Sequence, residues 1–478
     1  MTRFWLTFSA LLATTALNAC GKPATPPGAI SRGDVDYALN VLARAPEQGF
    51  APNAFGEQAL AKVDAKRDPA QRDQLLHAAI IAYANAEHGL AIPKKAMPDD
   101  WGLKPPPYDA EAELDQAVAQ HRFRAWLDAL PPSSPRYHAL QQAYLPYLKL
   151  AAVGGWTGVP AGPPLRQGET GPRVDALRQR LAAEDSQVTA QPGGPFDTGL
   201  AAALQRFQTA HGLKPTGALD AETLAELNVP TSARAAQIRA NLERLRWLPR
   251  EDPPTRIEVN TAAQTTDYFV NGQPAMHIVS AAGRPGDESP MLSSAINAIT
   301  VNPPWNVPET IAKDELLPKG GDYLQSHGFV TKDDGGLMQQ PGPDSALGLV
   351  KFEFPNRYSV YLHDTPSKAA FNQSSRAVSH GCVRLQAAVP LAKAILQQEN
   401  GWSPDRLDQL IASGETTGVK LDHAVPVRLI YLTAFPDVGR IAFRPDIYGW
   451  DEKLLDLLDR ATAGGGQVAQ ARAPATPG

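Results

Sequence analysis

"RAVSHGCVRL" occupies residues Arg376 to Leu385, and it holds Cys382, one of only two cysteines in the chain. A thiol of ordinary pKa is only a few per cent ionised near neutrality, and a neighbouring imidazole either takes its proton or stabilises the thiolate. Gly381 lets the chain bend tightly and lets a substrate approach the sulfur. The N–H groups of Gly381 and Cys382 are then candidates for an oxyanion hole. A helix dipole explains activation less well, because the next helix is expected to start near Pro390, about two turns too late. The residues alone leave two readings open: a nucleophile, or a buried apolar cysteine beside a histidine. One cysteine with two histidines lacks the paired spacing of zinc modules, so neither a metal nor a cofactor is expected.

Upstream, "RYSVYLHDTP" alternates as a strand. Tyr358, Val360 and Leu362 share one face, and Ser359, Tyr361 and His363 share the other. If the apolar set faces the core, Tyr361 and His363 point together into a cleft. Fifteen residues separate His363 from Ser379, enough for a loop that returns the thiol to the strand end. The backbone near Asp364 or Ser379 offers an orienting partner for the imidazole.

This segment belongs to a β-rich region that starts near Thr255. Ile257 and Val259 alternate, Asn271 and Gly272 mark a hairpin turn, and Met276 and Ile278 resume the pattern. "SAINAITVNPPW" and "LVKFEFPNRYSVYLHDTP" are further expected strands, and the Gly-rich stretch from Gly320 to Gly342 between them is an expected lid.

The rest of the chain is helical in pattern. At 478 residues it is too long for one core. Its net charge of −5 gives no bulk attraction to nucleic acid or anionic lipid. The expected organisation is multidomain α+β. Residues 1–20 read as an export signal too short to span a bilayer, and 21–31 as a flexible tether. A helical scaffold follows over 32–160, ending in two short helices split by "PPSSP". A three-helix module covers 164–230, with Asp197 and Asp220 as N-caps and Gly212 as a stop. A connecting helix runs over 235–254 with Ile238, Leu242 and Leu245 on one face. The β-rich domain covers 255–460, and the low-complexity tail 461–478 is expected to be disordered.

"LNAC", Leu17 to Cys20, resembles a bacterial lipobox, which implies acylation of Cys20 and, with Gly21 following, a periplasmic protein anchored to the outer membrane. Cys382 then has no disulfide partner in an oxidising compartment. The three-helix module resembles the common peptidoglycan-binding domain at Gly168, Gly171, Phe196, Asp197, Phe207, Gln208, Gly212, Leu213, Thr216, Gly217, Asp220 and Thr223. His363, the fifteen-residue spacing and "SHGC" followed by Val383 and Arg384 resemble the signature of L,D-transpeptidase (YkuD-type) catalytic domains. "VNPPWNVPETIAKDELLPK" and "AFRPDIYGWDEKLL" extend the likeness to the large murein L,D-transpeptidase subfamily.

The resemblance implies acyl transfer on peptidoglycan stem peptides, with three-to-three cross-links as product. Cys382 would be the nucleophile and His363 the general base. Ser379, His380 and Gly381 would shape the pocket, with Trp305 and Tyr361 as its wall and Asp364 and Arg384 toward the substrate. Arg384 would either pair with a carboxylate of the stem or pin the loop. A lipoprotein or water as acceptor, and an idle wall-binding lipoprotein, are the alternatives.

Overall fold

The computed structural model describes residues 30–64 and 66–463. The export segment, Cys20 and most of the tether lie outside the described residues, as does the tail from residue 464 onward.

The scaffold consists of α1 (Arg32–Ala43), α2 (Glu57–Lys62), α3 (Pro69–Glu87), α4 (Ala110–Ala119), α5 (Phe123–Asp128) and α6 (Pro135–Ala152). Its first five helices close on one core built from Leu42, Leu76, Ile80, Tyr83, Leu114 and Leu127. "PPSSP" does separate α5 from α6, but α6 is an 18-residue helix and not a short one. Ser134 caps it and Pro135 opens it, a pairing suited to a helix start.

α7 (Pro172–Ala182), α8 (Thr198–Ala210) and α9 (Ala221–Leu227) form the three-helix module. Asp197 accepts from Leu200 N–H at 2.7 Å and Asp220 from Thr223 N–H at 2.8 Å, so both predicted caps are present. The buried Gln208 amide donates to Thr216 Oγ1, Ala218 O and Thr223 Oγ1, each at 3.0 Å, and accepts from Gly217 N–H at 2.9 Å. The polar positions of the module are thus bound to one another, as a buried amide requires.

α10 departs most from the sequence reading. It begins at Thr231 and runs to Arg246, and from Ala240 to Arg246 every residue is buried rather than one stripe of them. Arg246 pairs with Glu87 of α3 and with Glu243, and it accompanies Tyr137 Oη of α6 at 2.8 Å. Arg244 pairs with Asp451, and Asn241 donates to Thr433 Oγ1 at 2.7 Å. Desolvated charges survive in an interior when paired and hydrogen-bonded. The helix is therefore a central strut shared by the scaffold and the β domain.

The β domain contains fourteen strands among the described residues. They are β1 (Arg256–Asn260), β2 (Thr265–Val270), β3 (Gln273–Gly283), β4 (Leu292–Val301), β5 (Trp305–Asn306), β6 (Phe329–Thr331), β7 (Leu337–Gln339), β8 (Val350–Glu353), β9 (Leu362–His363), β10 (Ala377–Ser379), β11 (Val383–Leu385), β12 (Thr417–Ile430), β13 (Ala434–Asp437) and β14 (Arg440–Phe443). The main sheet has the order β10-β3-β11-β9-β8-β4-β12-β1-β2, and an additional β2–β3 pairing closes all but β10 into a ring. Ile257, Ile299, Phe352, Leu362, Val383 and Leu429 fill its core, together with Leu391 and Ile395 of the helix Ala388–Leu396. The Asn271–Gly272 turn is present, with both residues at positive φ, as a two-residue hairpin loop demands.

"RYSVYLHDTP" is a strand only at Leu362 and His363. Ser359 sits at φ +56, and this left-handed residue turns the chain before the alternation can begin. Between β4 and β8 lies a folded insert rather than a bare Gly-rich loop. β5, β7 and β6 form its small sheet, joined by Glu309–Ile311, a π turn at Ala312–Leu316 and Gly321–Ser326. Ala312, Leu316 and Leu337 form its core, with Trp305 and Phe329 packed against them. The described residues end with the helix Trp450–Ala463, which packs on α10.

Candidate active site

Three neighbouring strands build the site. In the β8–β9 pair Lys351 stands opposite His363, and in the β9–β11 pair Arg384 stands opposite His363. Their intervening neighbours Val350, Phe352, Leu362, Val383 and Leu385 are all buried in the core. Period-two alternation therefore puts Lys351, His363 and Arg384 in one row on the other face, with Cys382 and Tyr361 one step behind. The alternation read from the sequence holds from Val360 onward, and it brings the imidazole and the sulfur to one surface.

His363 is only 4% exposed. Its Nδ1 lies 2.5 Å from Asp364 O, so the ring N–H is donated there and Nε2 is left as the acceptor. Burial and the adjacent Arg384 push its pKa down to about 3, so the ring is neutral near pH 7. Burial also pushes the Cys382 thiol above its ordinary value, against the opposing pull of the Tyr361 N–H and hydroxyl and of Lys351 and Arg384. Thiol and imidazole thus rest neutral, with no ion pair between them. No hydrogen bond joins the two side chains among the described residues. Cys382 as a residue is half-buried.

The loop that carries Cys382 is held by its neighbours. Gly381 has φ +102, a conformation that L side chains rarely adopt. Its carbonyl accepts from Ser289 Oγ at 2.7 Å, and Ser289 Oγ in turn accepts from Gly283 N–H. Ser379 is buried and donates to Cys382 O at 2.5 Å, so its hydroxyl fixes the turn instead of facing a substrate. The N–H groups of Gly381 and Cys382 donate to no acceptor among the described residues, as an oxyanion site requires.

The remaining predicted residues separate into two groups. Tyr361 faces both the thiol and the Trp305 indole, and its ring lies 5.6 Å from that of His363. His380 points away, toward Glu315 of the insert at 2.7 Å. Asp364 is buried, and its carboxylate is taken up by Leu349 N–H at 3.0 Å and Lys368 Nζ at 2.5 Å. Its contribution to the site is its carbonyl oxygen, so the carboxylate is not available to a substrate as expected.

Sequence reasoning passed over Lys351, Glu315, Ser289 and Gly348. Lys351 was findable, because "VKFEF" alternates as plainly as the strand after it. Gly348 sits at φ +61, where an added Cβ would come within 2.6 Å of Asp364 Cβ. Only the fold reveals that approach.

Residues 254–402 match the family model described as the L,D-transpeptidase catalytic domain, YkuD. The chain carries a YkuD L,D-transpeptidase catalytic domain. Residues 29–143 match a "Scaffold domain", and residues 170–227 match a "Putative peptidoglycan binding domain". The molecule is thus a helical scaffold, a helical peptidoglycan-binding module and a β-rich YkuD domain. A Haemophilus influenzae protein named "Putative L,D-transpeptidase" is 33% identical over 251 residues, covering 47% of this chain. The chain spans about half of that relative, 51% of its length.

Among solved structures, an L,D-transpeptidase from Mycobacterium smegmatis is 16% identical, covering 37% of this chain and 58% of that one at a TM-score of 0.21. An L,D-transpeptidase from Xylanimonas cellulosilytica is 17% identical, covering 56% of this chain and 98% of that one at a TM-score of 0.18.

Proposed function

We propose that the protein is a cysteine-dependent L,D-transpeptidase that forms three-to-three cross-links between peptidoglycan stem peptides. The observation that carries this reading is the shared face of Cys382 and His363, with the His363 Nδ1 proton committed to Asp364 O and Nε2 left as a base. As Cys382 Sγ attacks the carbonyl of residue three in a donor tetrapeptide, the thiol proton passes to His363 Nε2. The unpartnered N–H groups of Gly381 and Cys382 receive the oxyanion. Collapse of the tetrahedral adduct breaks the amide bond, and the imidazolium returns its proton to the departing D-alanine nitrogen. A thioester remains on Cys382. The side-chain amine of diaminopimelate on a second stem attacks it, loses a proton to His363, and releases the thiol as the new amide forms.

Both chemical partners rest neutral, so proton transfer accompanies attack and no thiolate need be stored. The helical module supports wall binding as the means of bringing the site to its polymer. The lipobox supports a periplasmic location with an acyl anchor on Cys20.

Cys382→Ala is the test. It abolishes three-to-three muropeptides, read by mass spectrometry of digested walls, in a strain that depends on this protein. Unchanged muropeptides in that strain would sink the reading. Incorporation of labelled fatty acid that is lost in Cys20→Ser tests the anchor.

A further inference from the structure

Of the two cations flanking His363, one is occupied and the other is not. Lys351 Nζ pairs with Glu353 at 3.3 Å and lies 4.4 Å over the Tyr361 ring. Arg384 makes no salt bridge or side-chain hydrogen bond among the described residues, and its Nε is sealed from solvent without a partner. The loop does not explain it, because residues 379–382 are held by Ser379 and Ser289 rather than by Arg384. The thiol does not explain it either, being neutral at rest. A half-buried guanidinium has given up part of its hydration, and an unpaired one has gained nothing for it.

We infer that Arg384 is the receptor for a free carboxylate of the donor peptide, one lying within a residue of the carbonyl that Cys382 attacks. This rests on the transpeptidase reading and deepens it. Arg384 is two residues from Cys382 on the same face, so a group that reaches it is attached close to the reacting carbon. The guanidinium is a planar fork matched to a carboxylate's two oxygens, and an anion supplies the missing counter-charge. A stem tetrapeptide with diaminopimelate at position three offers two such groups: the terminal carboxylate of the D-alanine that leaves, and the side-chain carboxylate of residue three. Arg384 is a specificity residue in either case. It selects free-acid donors over capped or amidated ones.

The test is binding to the full chain carrying Cys382→Ala, measured by titration calorimetry with three tetrapeptides: the free acid, the terminal amide and the side-chain amide. One amide will bind at least tenfold more weakly than the free acid, and which one identifies the carboxylate. Adding Arg384→Gln will bring the free acid down to that level with no further loss for the amide, and Arg384→Lys will recover part of the difference. The guanidinium has no partner to lose, so Arg384→Gln will melt no lower than its parent. If the free acid and both amides bind alike to Cys382→Ala, or if Arg384→Gln leaves the acid-to-amide ratio unchanged, the inference is overturned. The transpeptidase reading fails by a different result: a chain with Cys382 intact that binds donor yet forms no covalent adduct with it.

Discussion

Glu315 and His380 meet at 2.7 Å, and Glu315 also accepts from Arg284 at 3.2 Å. One carboxylate therefore joins the folded insert to the residue two places before Cys382. The hydrogen bond from His380 holds the Glu315 carboxyl below its ordinary pKa, so this clasp is present above about pH 4.5 and weakens as the carboxylate takes a proton. Glu315→Gln is expected to speed hydrogen exchange over residues 309–339 and to raise the donor KM. Both partners are partly exposed, so global stability is expected to change by under about 1 kcal/mol. Unaltered exchange in the insert would show that its own core suffices to seat it.

His363, as the proposed base, is expected to set the pH dependence of acylation. Its depressed pKa means that acylation falls in acid with a midpoint near 3, not near the 6.5 of an ordinary histidine. Stopped-flow measurement of acylation between pH 3 and pH 8 reads this directly, and an acid limb centred between pH 6 and pH 7 contradicts it. Stability carries the same sign. The unfolded chain binds a proton at this residue below about pH 6.5 while the native chain refuses it until about pH 3, so native stability declines as pH falls through that window. His363→Gln is expected to flatten part of the decline in urea midpoints between pH 7 and pH 4.

Gly381→Ala separates conformation from bulk. A Cβ there would meet Glu288 O at 3.4 Å and Val360 Cγ1 at 3.6 Å, both ordinary contacts, so the cost comes from φ +102. The expected loss is about 1–3 kcal/mol by thermal or urea denaturation. Acylation is expected to slow at least tenfold, because the strain falls on the amides proposed to receive the oxyanion. Normal acylation in a folded Gly381→Ala protein would remove those amides from the mechanism.

The strut α10 makes a prediction far from the sulfur. Arg246→Ala leaves Glu87 and Glu243 without their cation in a fully buried site, and is expected to cost about 3–5 kcal/mol. Burial already pushes the Glu243 carboxyl above its ordinary pKa, so the loss will be greater at pH 8 than at pH 5. Chemical denaturation at the two pH values checks both the size and the sign.

Much of this molecule was legible before any coordinates. Period-two alternation assigned Val360 and Leu362 to the core and Tyr361 and His363 to the opposite face, because side-chain direction in a strand is a local property. The caps Asp197 and Asp220 were legible for the same reason. What escaped depends on contacts distant in sequence. The apolar stripe of Ile238, Leu242 and Leu245 does not announce that Arg244 and Arg246 on the other faces are buried too, because their partners Asp451 and Glu87 lie more than a hundred residues away. Asp364 and Ser379 look like pocket residues in a motif, and only their bonds to Leu349, Lys368 and Cys382 O show that they brace the loop.

The strut also bears on how the chain can be divided. Trp101 of the scaffold, Trp247 at the end of α10 and Trp450 of the last helix sit ring against ring, with Trp101 5.7 Å from Trp247 and 6.0 Å from Trp450. A chain trimmed to begin at Thr255 would turn Tyr431, Phe443, Trp450 and Leu454 outward as one oily patch of the kind that clumps in solution. The β-rich domain is therefore expected to lose solubility when it is cut away from α10 and the scaffold residues that cover this patch.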